Sequence, residues 1–363
     1  MSLPLLPLLL FTARLVALGE IGWPDQGFPT HPARIHLRSY DIDEAYQLRE
    51  TLRRRPQVLV LGSSRVLSTR DFFFPGCERP GCFYNAGLGM RTLREGLEFI
   101  RALTAVSPPR ILVLGVDQWQ LNPNYRPELA HDVRQLPPGP LSASGLVSVK
   151  NLVPRLRDDP AFRALVLGRV AESQGAEGVE ARLHDEGHRP DGSFSWSSDH
   201  AADARHDREL MLGTIQQGLS WFPPFEHADG RSVAELSELL DLARQHGIRV
   251  VGYMPPFPDE AWRQIQELPG LRDGFADAER RVRETFAAHG FPVLIAHTLR
   301  EMGCADDEMW DGLHITEVCD VRIYRRLLQD PGAGETFRPY TTDAWLAELS
   351  ANARSPLHLR ADD

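Results

Sequence analysis

Four short polar segments hold residues whose types and spacing could carry out acyl-transfer chemistry. Gly62-Ser63-Ser64-Arg65 directly follows an apolar run. A glycine there permits a tight strand-to-helix turn. A serine opening the next helix would lie among free backbone N–H groups at the positive end of the helix dipole, and such groups stabilise a developing oxyanion. The plain alternative is that Ser63 or Ser64 only caps that helix, a position serine favours. Asp311-Gly312-Leu313-His314 lies near the end of the chain. A serine hydroxyl needs a general base to become a nucleophile, and histidine is the usual choice. The base needs a carboxylate that fixes its tautomer and stabilises the imidazolium. A D-x-x-H spacing supplies both from one turn; the alternative is an ordinary solvated loop. In Tyr84-Asn85-Ala86-Gly87-Leu88-Gly89 the glycines could leave backbone N–H groups open to a substrate oxygen, or simply make a flexible loop. Leu114-Gly115-Val116-Asp117 would bring one more polar residue to the same place.

The elements that must position these segments can be read from hydrophobic patterning. Residues 57–62, 82–85, 110–116, 248–253 and 292–295 are apolar runs of strand length, and continuous runs of this kind suit parallel strands buried on both faces. Residues 41–55, 92–106, 232–246, 273–289 and 317–328 carry apolar residues at helical spacing. Two of these helices stop at Gly247 and Gly290. Strands alternating with helices predict βαβ units and a parallel sheet, in which ligands bind beyond the carboxyl ends of the strands. All four polar segments fall there.

Residues 118–230 break the rhythm, being rich in Pro, Gly, His and Ser, with a helical stretch at 161–171. This segment is expected to be an insertion after the third strand that covers the carboxyl end of the sheet. Its His184-Asp185-Glu186-Gly187-His188, with His200, His206 and Asp207, could suggest a metal site, but Gly187, Pro190 and Gly192 argue against the helix that such a site needs. Neither a metal nor a cofactor is expected: there is no Walker loop, dinucleotide fingerprint or haem motif. Trp119, Trp196, Trp221, Phe222 and Phe225 could form a carbohydrate-stacking platform or anchor the insertion to the core.

At 363 residues, 42% hydrophobic and 25% charged, the chain is long enough to bury a sizeable core. A net charge of −10 argues against nucleic acid as a partner. Cys77, Cys82, Cys304 and Cys319 form no CxxC pair, so a zinc ribbon is not expected. They are compatible with two sequence-local disulfides or with four separate thiols. The apolar residues 3–18 are too short to span a bilayer and carry Arg14. They are expected to be the end of a membrane anchor; a helix packed on the domain is the alternative. The expected layout is residues 1–37 as this apolar segment and a linker, 38–330 as the α/β domain with its insertion, and 331–363 as a C-terminal tail.

The order of the motifs (serine, glycine, acid, Asp-x-x-His) at four strand ends resembles the SGNH hydrolase superfamily, the GDSL-like lipases and acylhydrolases. The resemblance covers roughly residues 56–117 and 232–328. It implies a flavodoxin-like three-layer α/β/α fold with a five-stranded parallel sheet. It also implies Ser64 as nucleophile, with Ser63 in place of the family's Asp, and Asp311 and His314 as its partners. Gly87, within Asn85-x-Gly87, would be the oxyanion glycine. Where the family carries an amide that donates to the oxyanion, this chain has Asp117. An ionised Asp aimed at that charge would oppose it, so Asp117 is either protonated, paired with a cation such as Arg65 or Arg91, or a sign that the protein is not a catalyst. The serine turn without its Asp looks like the branch that modifies cell-envelope polymers, by O-acetylation of exopolysaccharides or D-alanylation of teichoic acids. That branch implies an acylated carbohydrate or small ester substrate and a membrane acyltransferase partner. It also implies an extracytoplasmic location with a membrane-associated N-terminus; a cytoplasmic acylhydrolase is the alternative. A bridge between Cys304 and Cys319 would then hold Asp311 and His314 in place.

Overall fold

In the computed structural model of the chain, the described residues are 5–18, 34–35, 43–127, 152–168, 176–184, 186–196 and 198–360. Five strands form one parallel sheet: β1 (Val58–Gly62), β2 (Phe83–Gly87), β3 (Ile111–Gly115), β4 (Arg249–Met254) and β5 (Val293–Ile295). Their spatial order is β2-β1-β3-β4-β5, that of a doubly wound sheet. Leu59 pairs with Tyr84 on one side and Leu112 on the other, so β1 is central and apolar throughout.

Alternation along the strands divides the core in two. Leu59, Leu61, Leu112 and Leu114 face one layer, formed by helices α1 (Asp43–Arg54), α2 (Leu93–Thr104), α3 (Gly230–Gln245) and α4 (Pro269–His289). Val58, Val60, Ile111 and Val113 face the other, where α5 (Glu317–Leu327) supplies Val318, Val321, Ile323 and Tyr324. Each helix begins or ends as its residues dictate. Thr92 and Glu95 close a capping box at the start of α2, and Gly290 takes the left-handed conformation (φ 74°) that ends α4.

Two expectations change. The helical stretch expected at 161–171 is Pro160–Val166, stopped by Gly168 at φ 72°; residues 169–171 lie outside the described residues. The C-terminal segment is no loose tail. Pro331–Phe337 and Asp343–Ala351 are helices, and their Phe337, Leu346 and Leu349 are buried in the α5 layer. Within the insertion, Ser198–Gln217 forms a helix of 20 residues.

The N-terminal helix Leu5–Ala17 packs Phe11 and Leu15 against Phe162, Leu165 and Val166, with Leu8, Leu9 and Leu10 exposed. Among the described residues no helix is long and apolar enough to cross a membrane. Two disulfides are present, Cys77–Cys82 and Cys304–Cys319.

Candidate active site

The serine turn leaves β1 at Gly62, where a Cβ would meet Val66 Cγ1 at 2.7 Å and Gly115 O at 3.3 Å, so only glycine lets the chain fold back. Ser63 is extended (φ −75°, ψ −167°), and its Oγ accepts from Arg65 N at 3.2 Å. Ser63 is therefore the cap, and Ser64 opens the turn. That turn is a single 3-10 turn, Ser64–Val66, and not the start of a long helix, so it supplies local N–H groups but little macrodipole. The Ser64 N–H has no partner among the described residues.

Residues 309–315 form a tight hairpin, closed by Trp310 N donating to His314 O and by a bridge between Met309 and Ile315. At its tip Asp311 Oδ1 accepts from the backbone N–H groups of Leu313 (2.6 Å) and His314 (2.7 Å). Its Oδ2 faces His314 Nδ1 at 2.6 Å. The D-x-x-H spacing thus lets one carboxylate both cap its own turn and hold the imidazole. On the far side of the ring, His314 Nε2 lies 2.7 Å from Ser64 Oγ. Burial alone would raise the Asp311 carboxyl, but the facing imidazole and the two backbone donors outweigh it and hold the group at about 2. Asp311 is therefore ionised at any physiological pH.

Ser64 and His314 are 250 residues apart, and three successive side chains tie their loops together. Ser68 Oγ donates to Ile315 O (2.5 Å), Thr69 Oγ1 bonds Asp320 Oδ2 (2.7 Å), and Arg70 pairs with Glu317 (2.5 Å). These residues escaped sequence reasoning, because nothing in a linear pattern matches Ser68-Thr69-Arg70 to a helix 250 positions later. The Cys304–Cys319 disulfide closes the segment that contains the hairpin.

Asn85, Asp117 and Arg65, expected at the oxyanion or substrate, turn inward. Asn85 is fully buried; its amide donates to Val66 O (2.8 Å) and Thr69 O (2.9 Å), and its Oδ1 accepts from Gly87 N (2.8 Å). The Gly87 N–H expected to face substrate is therefore spent on a side chain two residues before it. Asp117 pairs with Arg65 Nη1 at 3.1 Å, both side chains 1% exposed, while Arg91 pairs with Glu95 instead. Burial raises the Asp117 carboxyl, and the Arg65 guanidinium opposes the rise. Arg65 also donates to Pro256 O and lies over the rings of Phe257 and Trp119. The carboxylate thus points into the protein against a cation.

The insertion reaches the site through residues 186–196. Asp191 O accepts from Asn85 N at the edge of β2, and Phe194 N donates to Leu67 O. A Cβ on Gly312 would meet Met211 Cβ at 2.8 Å and Arg208 Cα at 3.2 Å, so the helix Ser198–Gln217 lies directly on the hairpin of Asp311 and His314. Of the aromatic residues, Trp119, Phe222 and Phe225 are buried in the core and anchor the insertion. Trp196 is different: it packs on Trp310 and on the ring of His314. Leu88, which packs against the Trp196–Trp310 cluster, holds a left-handed backbone (φ 68°), a conformation that costs a non-glycine residue about 1 kcal/mol. His188 is buried against Gln47 and Gly192 O, and among the described residues no group of metal-ligating side chains forms. Asp185 and the His200 side chain lie outside the described residues. No family model matches the chain, and a search of curated proteins finds no match.

Proposed function

We propose that the protein is a serine-dependent esterase or O-acyltransferase of the SGNH type, acting on an acylated saccharide or envelope polymer through an acyl-enzyme. The observation that carries this reading is the continuous hydrogen-bonded chain Ser64 Oγ–His314 Nε2, His314 Nδ1–Asp311 Oδ2 at the carboxyl end of a doubly wound sheet. In the reaction Ser64 Oγ bonds to the ester carbonyl carbon while its proton passes to His314 Nε2. The carbonyl π electrons move to oxygen, facing the Ser64 N–H. Collapse of the intermediate expels the alcohol, which takes the proton from His314. Water or a sugar hydroxyl then repeats the sequence on the acyl-enzyme, with His314 again as base. The two disulfides support an oxidising, extracytoplasmic location. A membrane acyltransferase as acyl donor, and contact with the membrane through the N-terminal helix, belong to the same reading.

A second reading, a non-catalytic glycan-binding or scaffold protein, is favoured by one observation: the Gly87 N–H and position 117 offer the oxyanion nothing. Labelling with a fluorophosphonate probe separates the two. Wild type should label and Ser64→Ala should not. A folded wild type that resists the probe would overturn the serine chemistry in favour of the scaffold.

A further inference from the structure

We infer that Trp196, contributed by the insertion, is a positioning residue for the catalytic base: its indole face orients the His314 ring and stabilises the imidazolium formed when Ser64 gives up its proton. This rests on the serine chemistry proposed above. The two ring centroids are 5.3 Å apart with the planes tilted by 37°. A cation over an aromatic face within about 6 Å is attracted by the ring quadrupole, and tryptophan is the strongest such partner. The imidazole is neutral before proton transfer and cationic after it, so this attraction grows along the reaction coordinate and lowers the barrier instead of merely holding the ground state.

The surroundings make the contact rigid. Trp196 is 9% exposed and stacks on Trp310 (5.7 Å, 21°), the residue immediately before Asp311, with Phe194 edge-on at 5.0 Å. The arm that carries it is fixed to the core by buried charges: Asp191 takes Arg70 at 3.1 Å, and Arg189 reaches Glu317 at 3.4 Å. Arg189 Nη1 also donates to Phe194 O. Among the described residues, Asp311 anchors Nδ1 of His314, Ser64 bonds Nε2, and the charge of Asp117 also reaches the ring. Those groups act at the ring nitrogens or from a distance; Trp196 packs on the ring itself, 5.3 Å away with the planes tilted by 37°, and it makes the insertion part of the catalytic centre.

The test measures the rate of fluorophosphonate inactivation, which requires the same proton transfer and no knowledge of the substrate. Trp196→Leu should slow inactivation about tenfold, the value of a partly desolvated cation–π contact, and Trp196→Phe, which restores an aromatic face, should recover most of that loss. Because Leu could also loosen the arm, tryptophans carrying increasing ring fluorination are placed at 196 alone. They keep the shape and drain the π face, so the logarithm of the rate should fall in step with fluorination. A rate indifferent to fluorination, or equal losses for Leu and Phe, overturns the inference while leaving the serine chemistry standing. A wild type that does not label overturns both.

Discussion

Replacing Arg65 by methionine tests whether the nucleophile turn is held by a buried charge pair. The Arg65 guanidinium meets Asp117 at 3.1 Å with both side chains almost fully buried, and it is flanked by Phe257 and Trp119. Methionine fills much of the same space and keeps contact with the two rings, so the change falls mainly on charge. Removing one partner of a buried pair leaves the other uncompensated, at a cost of about 3–5 kcal/mol. At roughly 2 °C per kcal/mol for a large domain, the midpoint of thermal unfolding should fall by roughly 6–10 °C. The cost should also depend on pH. Burial already raises the Asp117 carboxyl against the pull of Arg65, and without Arg65 it rises further. A group raised by folding contributes stability that is fully present below its unfolded pKa and is lost as pH rises through its folded pKa. The deficit of Arg65→Met should therefore be smaller at acidic pH and grow as pH rises. Asp117→Asn removes the carboxyl that folding raises, so its deficit relative to wild type should shrink as pH rises, the opposite of the trend for Arg65→Met. Urea unfolding of both single variants and the double variant as a function of pH gives the answer. The double variant leaves no stranded charge and should be more stable than the sum of the single losses. A pH-independent deficit for Arg65→Met, or simple additivity, refutes the reasoning.

Asp320 gives a second pH signature. Burial pushes its carboxyl up to about 7, against the hydrogen bond from Thr69 and with some help from the charge of Glu317. The stability tied to its protonated form is lost as pH rises through about 7, so wild type should lose about 1 kcal/mol between pH ~6 and ~8 relative to Asp320→Asn; parallel pH profiles for the two proteins would discard this account. The Cys304–Cys319 disulfide closes a 15-residue separation around the Asp311–His314 hairpin. Replacing both cysteines by serine should cost about 3 kcal/mol and slow fluorophosphonate labelling. Thiol titration of the denatured, unreduced protein checks the premise, and four reactive thiols would remove it.

Much of the scaffold was legible because burial on both faces leaves a strong mark. β1, β3 and β4 read as unbroken apolar runs, and Gly247 and Gly290 marked where α3 and α4 stop. Ser64, Asp311 and His314 were legible through residue type and spacing, since the D-x-x-H turn is a local device whose geometry is set within four residues. What lay hidden is non-local. Asn85 sits at a strand end like a site residue, yet its direction is decided by Val66 O and Thr69 O, which no local pattern announces; for Asp117, pairing with Arg65 was one of the readings the sequence left open, and the fold selects it. Trp196 could be read as platform or anchor from sequence, because only the folded arm brings it to His314.

The inward turns of Asn85 and Asp117 have a joint consequence for the proposed chemistry. The resemblance implies three oxyanion donors: the Ser64 N–H, the Gly87 N–H and an amide at position 117. Here Gly87 N donates to Asn85 and position 117 pairs with Arg65, which leaves the Ser64 N–H. One such donor is worth roughly 10²–10³ in kcat, so a site short of two would be a poor catalyst of hydrolysis by charge stabilisation alone. Both lost donors have instead become ties. Asn85 fixes the loop after Ser64, and Arg65 fixes the turn that presents it. The catalytic effect left to such a site is positioning, which can supply a comparable share of a barrier when both reacting partners are held. Under the proposed chemistry a bound acceptor hydroxyl would gain from that positioning, and bulk water would not.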